Sequence, residues 1–368
     1  MPLSISERDR RYRAIRAMME SNDLSILLVG SNAMSPGHVR YFSNYPPHSG
    51  YAYVIFAKEE NPTQFVRSKI QEQVAEKGWV PDSRFAANFG DTLVKRLKEL
   101  NPQSKTIGLV GVENIPFKMY EHLRKELPSA NFVDATKEIF DLRMIKSEEE
   151  QGLARQCARI TDQLFQRIKE VIKPGITEYD VYAEMDYFLR KQRVEGSFNL
   201  VASGLFPVAP FIVPSERILN PEDSFLAELT PRYQGYYTQL TVVHSLREAS
   251  PKMKELLDVA FASQKEGLKL LKPGNRACDV ARAVKATIEK AGYGMPYRAG
   301  HSMGHEHTEP PAVVVDDETV LRPGMTLVIH PCVMDKNGEG VFCGDSYLVT
   351  ETGWERLNTT FSPNRTSY

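Results

Sequence analysis

Cysteine is scarce in this sequence. The 368 residues include four cysteines, and no two of them form a C-x-x-C pair. This count and spacing exclude both a disulfide framework and a zinc knuckle. Because free thiols persist in reducing compartments, the sequence predicts a cytoplasmic protein.

An excess of charge and a long apolar run are also missing. Lys plus Arg total 46 and Asp plus Glu total 47, which leaves a formal net charge of -1. Without a basic field, the protein has no electrostatic attraction for nucleic acid or an anionic membrane surface. No apolar segment approaches the ~18 residues of a membrane-spanning helix, and the N-terminal stretch MPLSISERDRRYRA lacks the apolar core of a signal peptide. We therefore expect neither nucleic acid nor membrane as a partner.

What the sequence does contain is an alternation of helices and strands. At roughly 150 residues per domain, its length predicts two domains. The amphipathic run 7–21 is followed by the strand-like segment 24–30, and short apolar strands separated by helices indicate α/β layers. Further strands are predicted at 51–57 and 106–111, and further helices at 92–100 and 117–127. Ser147 and Glu150 form a capping box that starts a long helix, so we place the domains at 1–142 and 143–368.

The second domain contains an internal repeat. The segment IKPGITEYDVYAEMDYFLRK begins at Ile172, and LKPGNRACDVARAVKATIEK begins at Leu271. Both consist of an aliphatic residue, Lys-Pro-Gly, four further residues, Asp-Val and an amphipathic helix that ends in lysine. Because chance does not align so many features, we expect the domain to consist of two related halves.

Strand-like runs lie between and after the repeated helices. They are FNLVASG (198–204), SFLAEL (224–229), GYYTQLTVVHSL (235–246), MTLVIHPCVM (325–334) and GVFCGDSYLVT (340–350). Asn337-Gly338, between the last two runs, is a strong signal for a hairpin turn. The predicted architecture is two helix pairs on a curved antiparallel sheet, which makes the fold class α+β with a smaller α/β domain in front.

Motifs along the chain resemble those of the creatinase/prolidase/methionine-aminopeptidase family, which has the pita-bread fold. RMIKSEEE at the start of the second domain, the doubled KPG helices, GHSMG, EPP, RPGMTLVIHP and DSYLVTETG occur in the family's order. The first domain is similar to the smaller creatinase-type N-terminal domain. The resemblance implies a homodimer that acts on a small-molecule substrate. It also implies that His48, in the loop 45–49, helps to complete the pocket of the other subunit.

Family aminopeptidases hold two metal ions with two aspartates, one histidine and two glutamates. The matching positions in this sequence are Glu228, Gln239, His301, His330 and Gly344. Two neighbouring divalent cations need several anionic ligands to offset their mutual repulsion, and this set keeps a single carboxylate. We therefore expect no dinuclear metal site and no cofactor.

Other functional positions of the family have also changed. The auxiliary histidine before Glu-Pro-Pro is replaced by Thr308, and His307 stands one residue early. A one-residue shift on a strand turns a side chain to the other face, so His307 is not expected to replace it. Metal-free creatinase uses a histidine and a glutamate, whose positions are Phe211 and Thr241 here. Phe206 and Phe211 are expected to form an apolar pocket wall instead.

The polar residues at the former ligand positions form the candidate site. We expect His301 to be the principal acid and base, with Glu228 and His330 orienting and charging it. A carboxylate beside two imidazoles raises their pKa values and lowers its own, so the three groups are expected to titrate together near neutral pH. The substrate-binding candidates are Gln239, Tyr237, Phe211, Phe206, Asp345, Glu309 and His48. His305 and His307 are interpreted as ordinary core or surface residues.

Three functions remain open. The first is a metal-independent hydrolase or lyase that acts on a C–N bond of a small amino-acid-derived substrate. The second is a mononuclear metal enzyme in which His301, His330 and Glu228 bind Fe(II), Zn(II) or Mn(II). The third is a family member that binds without catalysis, although decay alone would not place a costly buried histidine at position 330. An ordinary proline peptidase is disfavoured by the missing carboxylates, and further by Phe342, which stands where such enzymes often carry arginine.

Overall fold

In a computed structural model, the chain separates into two compact units, residues 1–143 and 144–368. The structure describes residues 3–100, 106–208 and 213–359. The helices of the first unit are α1 (Ile5–Ser21), α2 (Gly37–Ser43), α3 (Lys69–Ala75), α4 (Phe89–Glu99), α5 (Phe117–Glu126) and α6 (Thr136–Met144). Its strands are β1 (Ile26–Asn32), β2 (Tyr51–Ala57), β3 (Thr63–Val66), β4 (Ser83–Phe85), β5 (Thr106–Val110) and β6 (Asn131–Asp134).

A mixed sheet in the order β4-β3-β2-β1-β5-β6 forms the centre of the first unit. Strand β1 is parallel to β5 and antiparallel to β2. Its residues are buried on both faces up to Ser31, as expected of a central strand covered on both sides. One hydrophobic cluster joins the sheet to α1, α2 and α6, and another joins it to α4 and α5. The predicted α/β layering of this half is confirmed.

The second unit is built from paired helices and short antiparallel strands. Its helices are α7 (Glu148–Val171), α8 (Glu178–Lys191), α9 (Pro251–Leu268) and α10 (Ala277–Lys290). Its strands are β7 (Gly196–Ser197), β8 (Leu200–Gly204), β9 (Ser224–Leu229), β10 (Pro231–Tyr233), β11 (Tyr236–Tyr237), β12 (Leu240–Ser245), β13 (Gly300–Ser302), β14 (Glu309–Val313), β15 (Thr326–Ile329), β16 (Cys332–Met334), β17 (Gly340–Phe342), β18 (Asp345–Val349) and β19 (Trp354–Arg356). Across the described residues, no helix is both long enough and apolar enough to cross a bilayer.

The repeated Asp of the KPG segments has the same local role in both halves. Asp180 accepts a hydrogen bond from the backbone N–H of Thr177, and Asp279 accepts one from Arg276. Each carboxylate therefore satisfies an amide donor at the first turn of its helix, α8 or α10. The capping box predicted at Ser147 and Glu150 is also present, at the start of α7.

Each half of the second unit carries its own sheet. The order is β12-β9-β8 in one half and β14-β13-β15-β18-β19 in the other, while β16 and β17 form the predicted hairpin. Thr241 and Gly344 exchange two backbone hydrogen bonds, of 2.8 and 2.9 Å, which link the two halves. The predicted α+β class is confirmed, with curved antiparallel sheets behind paired helices.

Three of the runs predicted as continuous strands are interrupted. The run 235–246 breaks between β11 and β12, 325–334 breaks between β15 and β16, and 340–350 breaks between β17 and β18. Gln239, His330 and Gly344 lie at these breaks. The candidate site is therefore located where strands end and change partners.

Candidate active site

His301 and His330 are brought together by neighbouring strands. His301 lies on β13, and His330 directly follows β15, its antiparallel neighbour. The backbone N–H of His330 donates to the carbonyl of Ala299 at 2.9 Å, which continues the pairing of the two strands past Ile329. The two ring centroids are 5.2 Å apart, and the residues are only 3% and 1% exposed. The pair is thus an enclosed imidazole cluster.

Aromatic rings enclose His330. Tyr297 stacks on its imidazole with a centroid distance of 6.1 Å, and Phe342 meets it edge-on at 4.8 Å. Neither ring nitrogen has a hydrogen-bond partner among the residues that the structure describes. Burial lowers the pKa of His330 to about 3, because charge is unfavourable in this apolar box. His330 is therefore neutral at physiological pH and places no charge beside His301.

The tautomer of His301 follows from one hydrogen bond. Its Nδ1 lies 3.0 Å from the carbonyl oxygen of Ser302. Since a carbonyl only accepts, Nδ1 carries the proton and Nε2 keeps its lone pair when the ring is neutral. Burial, followed by the neighbouring His330 and Arg298, holds the pKa of His301 well below its ordinary 6.5. His301 thus offers a hydrogen-bond acceptor at Nε2.

Glu228 is the buried carboxyl group of the site. It lies on β9, opposite Thr241 of β12, and is 9% exposed. Gln239 shares this face, since its side-chain amide donates to the Thr241 hydroxyl at 3.2 Å. Burial raises the pKa of Glu228 to about 7, with the positive charge of Arg298 opposing that rise. The carboxyl group is consequently poised between its acid and its anion at neutral pH.

The expected mutual charging of Glu228, His301 and His330 is wrong. The pKa of the acid is raised and those of both imidazoles are lowered, the reverse of the expected directions. In the described structure no salt bridge joins Glu228 to either histidine, so pairing does not compensate for the loss of hydration. Burial therefore dominates, and it favours the neutral form of every group.

Sequence reasoning missed Arg298. This residue precedes β13, its Nη2 donates to the Thr308 hydroxyl at 3.3 Å, and its guanidinium lies 5.3 Å from the centre of the Tyr297 ring. Beyond the dominant effect of burial, its charge acts on the pKa values of four side chains: Glu228, His301, His307 and His330. The available signal was a lone arginine in the stretch YRAGHS, three residues before His301.

His307 belongs to the neighbourhood of the site. Its ring stacks on Phe198 with a centroid distance of 4.3 Å and lies 6.1 Å from that of Tyr237, at a steep angle. It also lowers the pKa of His301, as a minor contribution after burial. The strand rule used to exclude it does not apply, because residues 303–308 form a loop between β13 and β14. Tyr237, a predicted substrate-binding residue, packs against this histidine.

His305 serves the frame around the site. Its Nδ1 lies 3.2 Å from the carbonyl oxygen of Gly235, and its Nε2 lies 3.1 Å from the hydroxyl of Tyr236. The same hydroxyl donates to the Glu150 carboxylate at 2.8 Å. These bonds fix the loop after β13 to the start of α7, in agreement with the interpretation of His305 as a core residue.

Two predicted substrate-binding acids are engaged elsewhere. Glu309 accepts a hydrogen bond from the backbone of Glu306 at 3.0 Å, and its other oxygen lies 3.8 Å from the Lys146 ammonium group. Asp345 accepts from Gln264 of α9 at 3.2 Å and pairs with Arg356. Both acids are therefore engaged by partners outside the imidazole pair.

The remaining substrate-binding candidates lie in different parts of the chain. Phe206 packs on the hydrophobic cluster that includes Phe342. Phe211 lies outside the described residues. His48 is exposed in the first unit, 6.2 Å from the ring of Tyr45. Of the substrate-binding candidates, Gln239 donates to Thr241, which lies opposite Glu228, and Tyr237 packs against His307.

The residues present do not fit the family's two metal ions. Gly344 has no room for a ligand, because a Cβ there would lie 2.1 Å from the Ile329 carbonyl oxygen and 2.4 Å from the His330 Cα. The Gln239 amide is a neutral donor to Thr241. Within the described ranges, no three His, Cys, Asp or Glu side chains are grouped so as to hold a metal.

Comparison with known proteins agrees with the fold. The model of metallopeptidase family M24 matches residues 152–351, and the creatinase/prolidase N-terminal domain model matches residues 11–145. The chain is 28% identical to a Xaa-Pro dipeptidase of Pyrococcus horikoshii over 357 residues, 96% of this chain and 97% of the relative.

Solved structures give the same result. A prolidase of Pyrococcus horikoshii superposes with a TM-score of 0.86 and 26% identity, covering 98% of this chain and all of the other. A Xaa-Pro dipeptidase from Bacillus anthracis gives 0.85 at 26% identity, with coverages of 97% and 99%. This chain therefore belongs to metallopeptidase family M24, with a creatinase/prolidase N-terminal domain, and is a peptidase-type hydrolase.

Proposed function

We propose that this protein hydrolyses a C–N bond in a small amino-acid-derived substrate without a metal ion. The supporting observation is the residue set itself. A buried carboxyl group on β9 and two buried imidazoles on the opposite sheet occupy the former ligand positions, with Arg298 acting electrostatically on all three. Ionisable groups are costly to bury, so their retention favours a chemical role over decay.

In this proposal Glu228 carries the proton. An acid–base group works best when its pKa lies near the operating pH, and burial raises the pKa of Glu228 to about 7. The Glu228 carboxylate takes a proton from the attacking water as its oxygen bonds to the substrate carbon. The resulting acid returns that proton to the leaving nitrogen as the C–N bond breaks. The carboxylate is thereby regenerated.

His301 and His330 then have separate roles. Nε2 of neutral His301 accepts the second hydrogen of the water and orients it, which replaces the expectation that His301 itself is the base. His330 holds His301 in place by ring contact, as a neutral group within the aromatic box. Both roles require a neutral imidazole, which the lowered pKa values of these groups favour.

The proposal is tested with chelator-treated protein whose metal content has been measured. The substrate panel contains N-acyl amino acids, amidines and dipeptides, including Xaa-Pro dipeptides because two relatives are Xaa-Pro dipeptidases. We expect turnover without metal, and a loss of about 100-fold or more in kcat for Glu228→Gln and His301→Asn. His244→Gln is the control, since His244 lies on β12 beside Lys169. Activity that appears only with stoichiometric metal would refute the proposal.

A further inference from the structure

The candidate site carries positive charge that the protein does not neutralise. Arg298 forms no salt bridge within the described part of the chain, and Glu228 is only partly ionised at neutral pH. The other site groups, His301, His330 and Gln239, are neutral. A guanidinium remains charged at every accessible pH, so the site favours an anion.

The hydrogen bonds of Arg298 point to the shape of that anion. A guanidinium has five N–H donors in a planar fork. The Nη2 group of Arg298 donates to the Thr308 hydroxyl at 3.3 Å, whereas its Nε–H is buried and has no acceptor among the described residues. Leaving a buried donor unpaired costs free energy, and a carboxylate can accept from two N–H groups of the fork at once.

The position of Arg298 connects this anion with the reaction. Its guanidinium lies over Tyr297, whose ring stacks on His330. Arg298 lies two residues before β13, the strand that carries His301. Its positive charge acts to lower the pKa of Glu228. A carboxylate held there would place a small substrate beside Tyr297 and the imidazole pair.

We propose that Arg298 binds a carboxylate of the substrate, so that the enzyme acts on a C–N bond in a molecule with a free carboxylate close to that bond. Phe342 supports this assignment, because its apolar ring meets His330 edge-on at 4.8 Å and offers no competing hydrogen-bond donor. The reaction named here rests on the proposed function, whereas the binding of the carboxylate does not.

Binding is measured first, without relying on turnover. N-acetylglycine, N-acetyl-L-alanine and N-acetyl-L-proline are compared with their carboxamides by calorimetry on the Glu228→Gln protein. We expect at least one carboxylate to bind about 10-fold or more tightly than its carboxamide, as charged hydrogen bonds require. Adding Arg298→Gln should abolish that preference, and Arg298→Lys should retain part of it, since lysine keeps the charge but loses the fork.

Arg247→Gln is the matched control. Arg247 pairs with Glu222 on the surface and its side chain is 61% exposed, so its loss removes an equal charge far from the proposed contacts. If Arg298→Gln does not fold, the Arg298→Lys comparison alone decides the question. Equal affinity for carboxylates and carboxamides, or a preference that survives Arg298→Gln, would overturn the inference.

Kinetics on otherwise intact enzyme separate this inference from the proposed function. Arg298→Gln should raise KM for carboxylate substrates about 10- to 100-fold and leave KM for their carboxamides nearly unchanged. Turnover with no difference between the two substrate series would refute the carboxylate contact and leave the hydrolase proposal standing. Selective binding of carboxylates without turnover of any substrate would refute the hydrolase proposal and leave the carboxylate contact standing.

Discussion

Replacement of Gly344 by alanine tests the packing at the centre of the second unit. A Cβ at this position would lie 2.1 Å from the Ile329 carbonyl oxygen, 2.4 Å from the His330 Cα and 2.7 Å from its Cβ. Non-bonded heavy atoms rest at about 3.5–4.0 Å, and backbone atoms cannot rotate away as a flexible side chain can. The strand must therefore move, and the two hydrogen bonds between Gly344 and Thr241 must lengthen.

The cost follows from these contacts. Overpacking a closely packed site costs about 1–3 kcal/mol, and each of the two backbone bonds contributes about 0.5–1.5 kcal/mol. We expect Gly344→Ala to lower the free energy of unfolding of the second unit by about 2–6 kcal/mol. Gly152→Ala is the control, because Gly152 lies on α7 and its Cβ would meet nothing within 4 Å. That change should stabilise the protein by about 0.5–1 kcal/mol.

Urea unfolding of the full chain, followed by circular dichroism, measures both variants. Hydrogen exchange on peptides that contain β15 and β18 then locates the effect, because Gly344 directly precedes β18 and packs against Ile329, the last residue of β15. An alanine variant with an unchanged urea midpoint and unchanged exchange in these peptides would refute the close contact between Gly344 and His330. The same contact predicts that a glutamate introduced at 344 does not recreate a metal ligand.

The raised pKa of Glu228 predicts how the stability of the protein depends on pH. Because this pKa rises from 4.5 to about 7 on folding, the free energy of unfolding is greatest below about pH 4.5 and falls between pH 4.5 and 7. Above pH 7 it is lower by about 3 kcal/mol. Glu228→Gln should remove this slope in urea unfolding at a series of pH values, and a slope that persists in the variant would assign it to another group. His330→Leu should preserve stability or raise it by about 1 kcal/mol, since neither imidazole nitrogen has a hydrogen-bond partner within the described ranges. His305→Leu should lower stability by about 1–3 kcal/mol, because it breaks the hydrogen bonds of that side chain. Equal losses in the two variants, measured by thermal unfolding, would contradict the distinction between these histidines.

Much of the architecture could be predicted because its signals are local. The capping box of Ser147 and Glu150, the hairpin turn at Asn337-Gly338 and the repeated Asp-Val each act within a few residues of the chain. Strand 224–229 matched β9 in full for the same reason, since an apolar run between turn residues has one favourable conformation.

The interruptions within the predicted strands could not be inferred from local sequence patterns. An apolar run such as 325–334 satisfies strand periodicity throughout, yet the chain leaves one sheet after Ile329 and joins another at Cys332. Which sheet a residue joins depends on partners far away in sequence. The strand rule applied to His307 fails for the same reason, because the residues around it form a loop whose course is set by its contacts with β11 and Phe198.

The sequence by itself determined the fold class and the repeated helix pairs, because both depend on local patterns and on motifs that occur in a known order. Only the tertiary structure decided the charge states at the site. A pKa depends on hydration and on neighbouring charges, and these are set by the burial of Glu228, the aromatic box around His330 and the nearby guanidinium of Arg298. Those neighbours are distant in the chain, so their combined effect exists only once the second unit has folded.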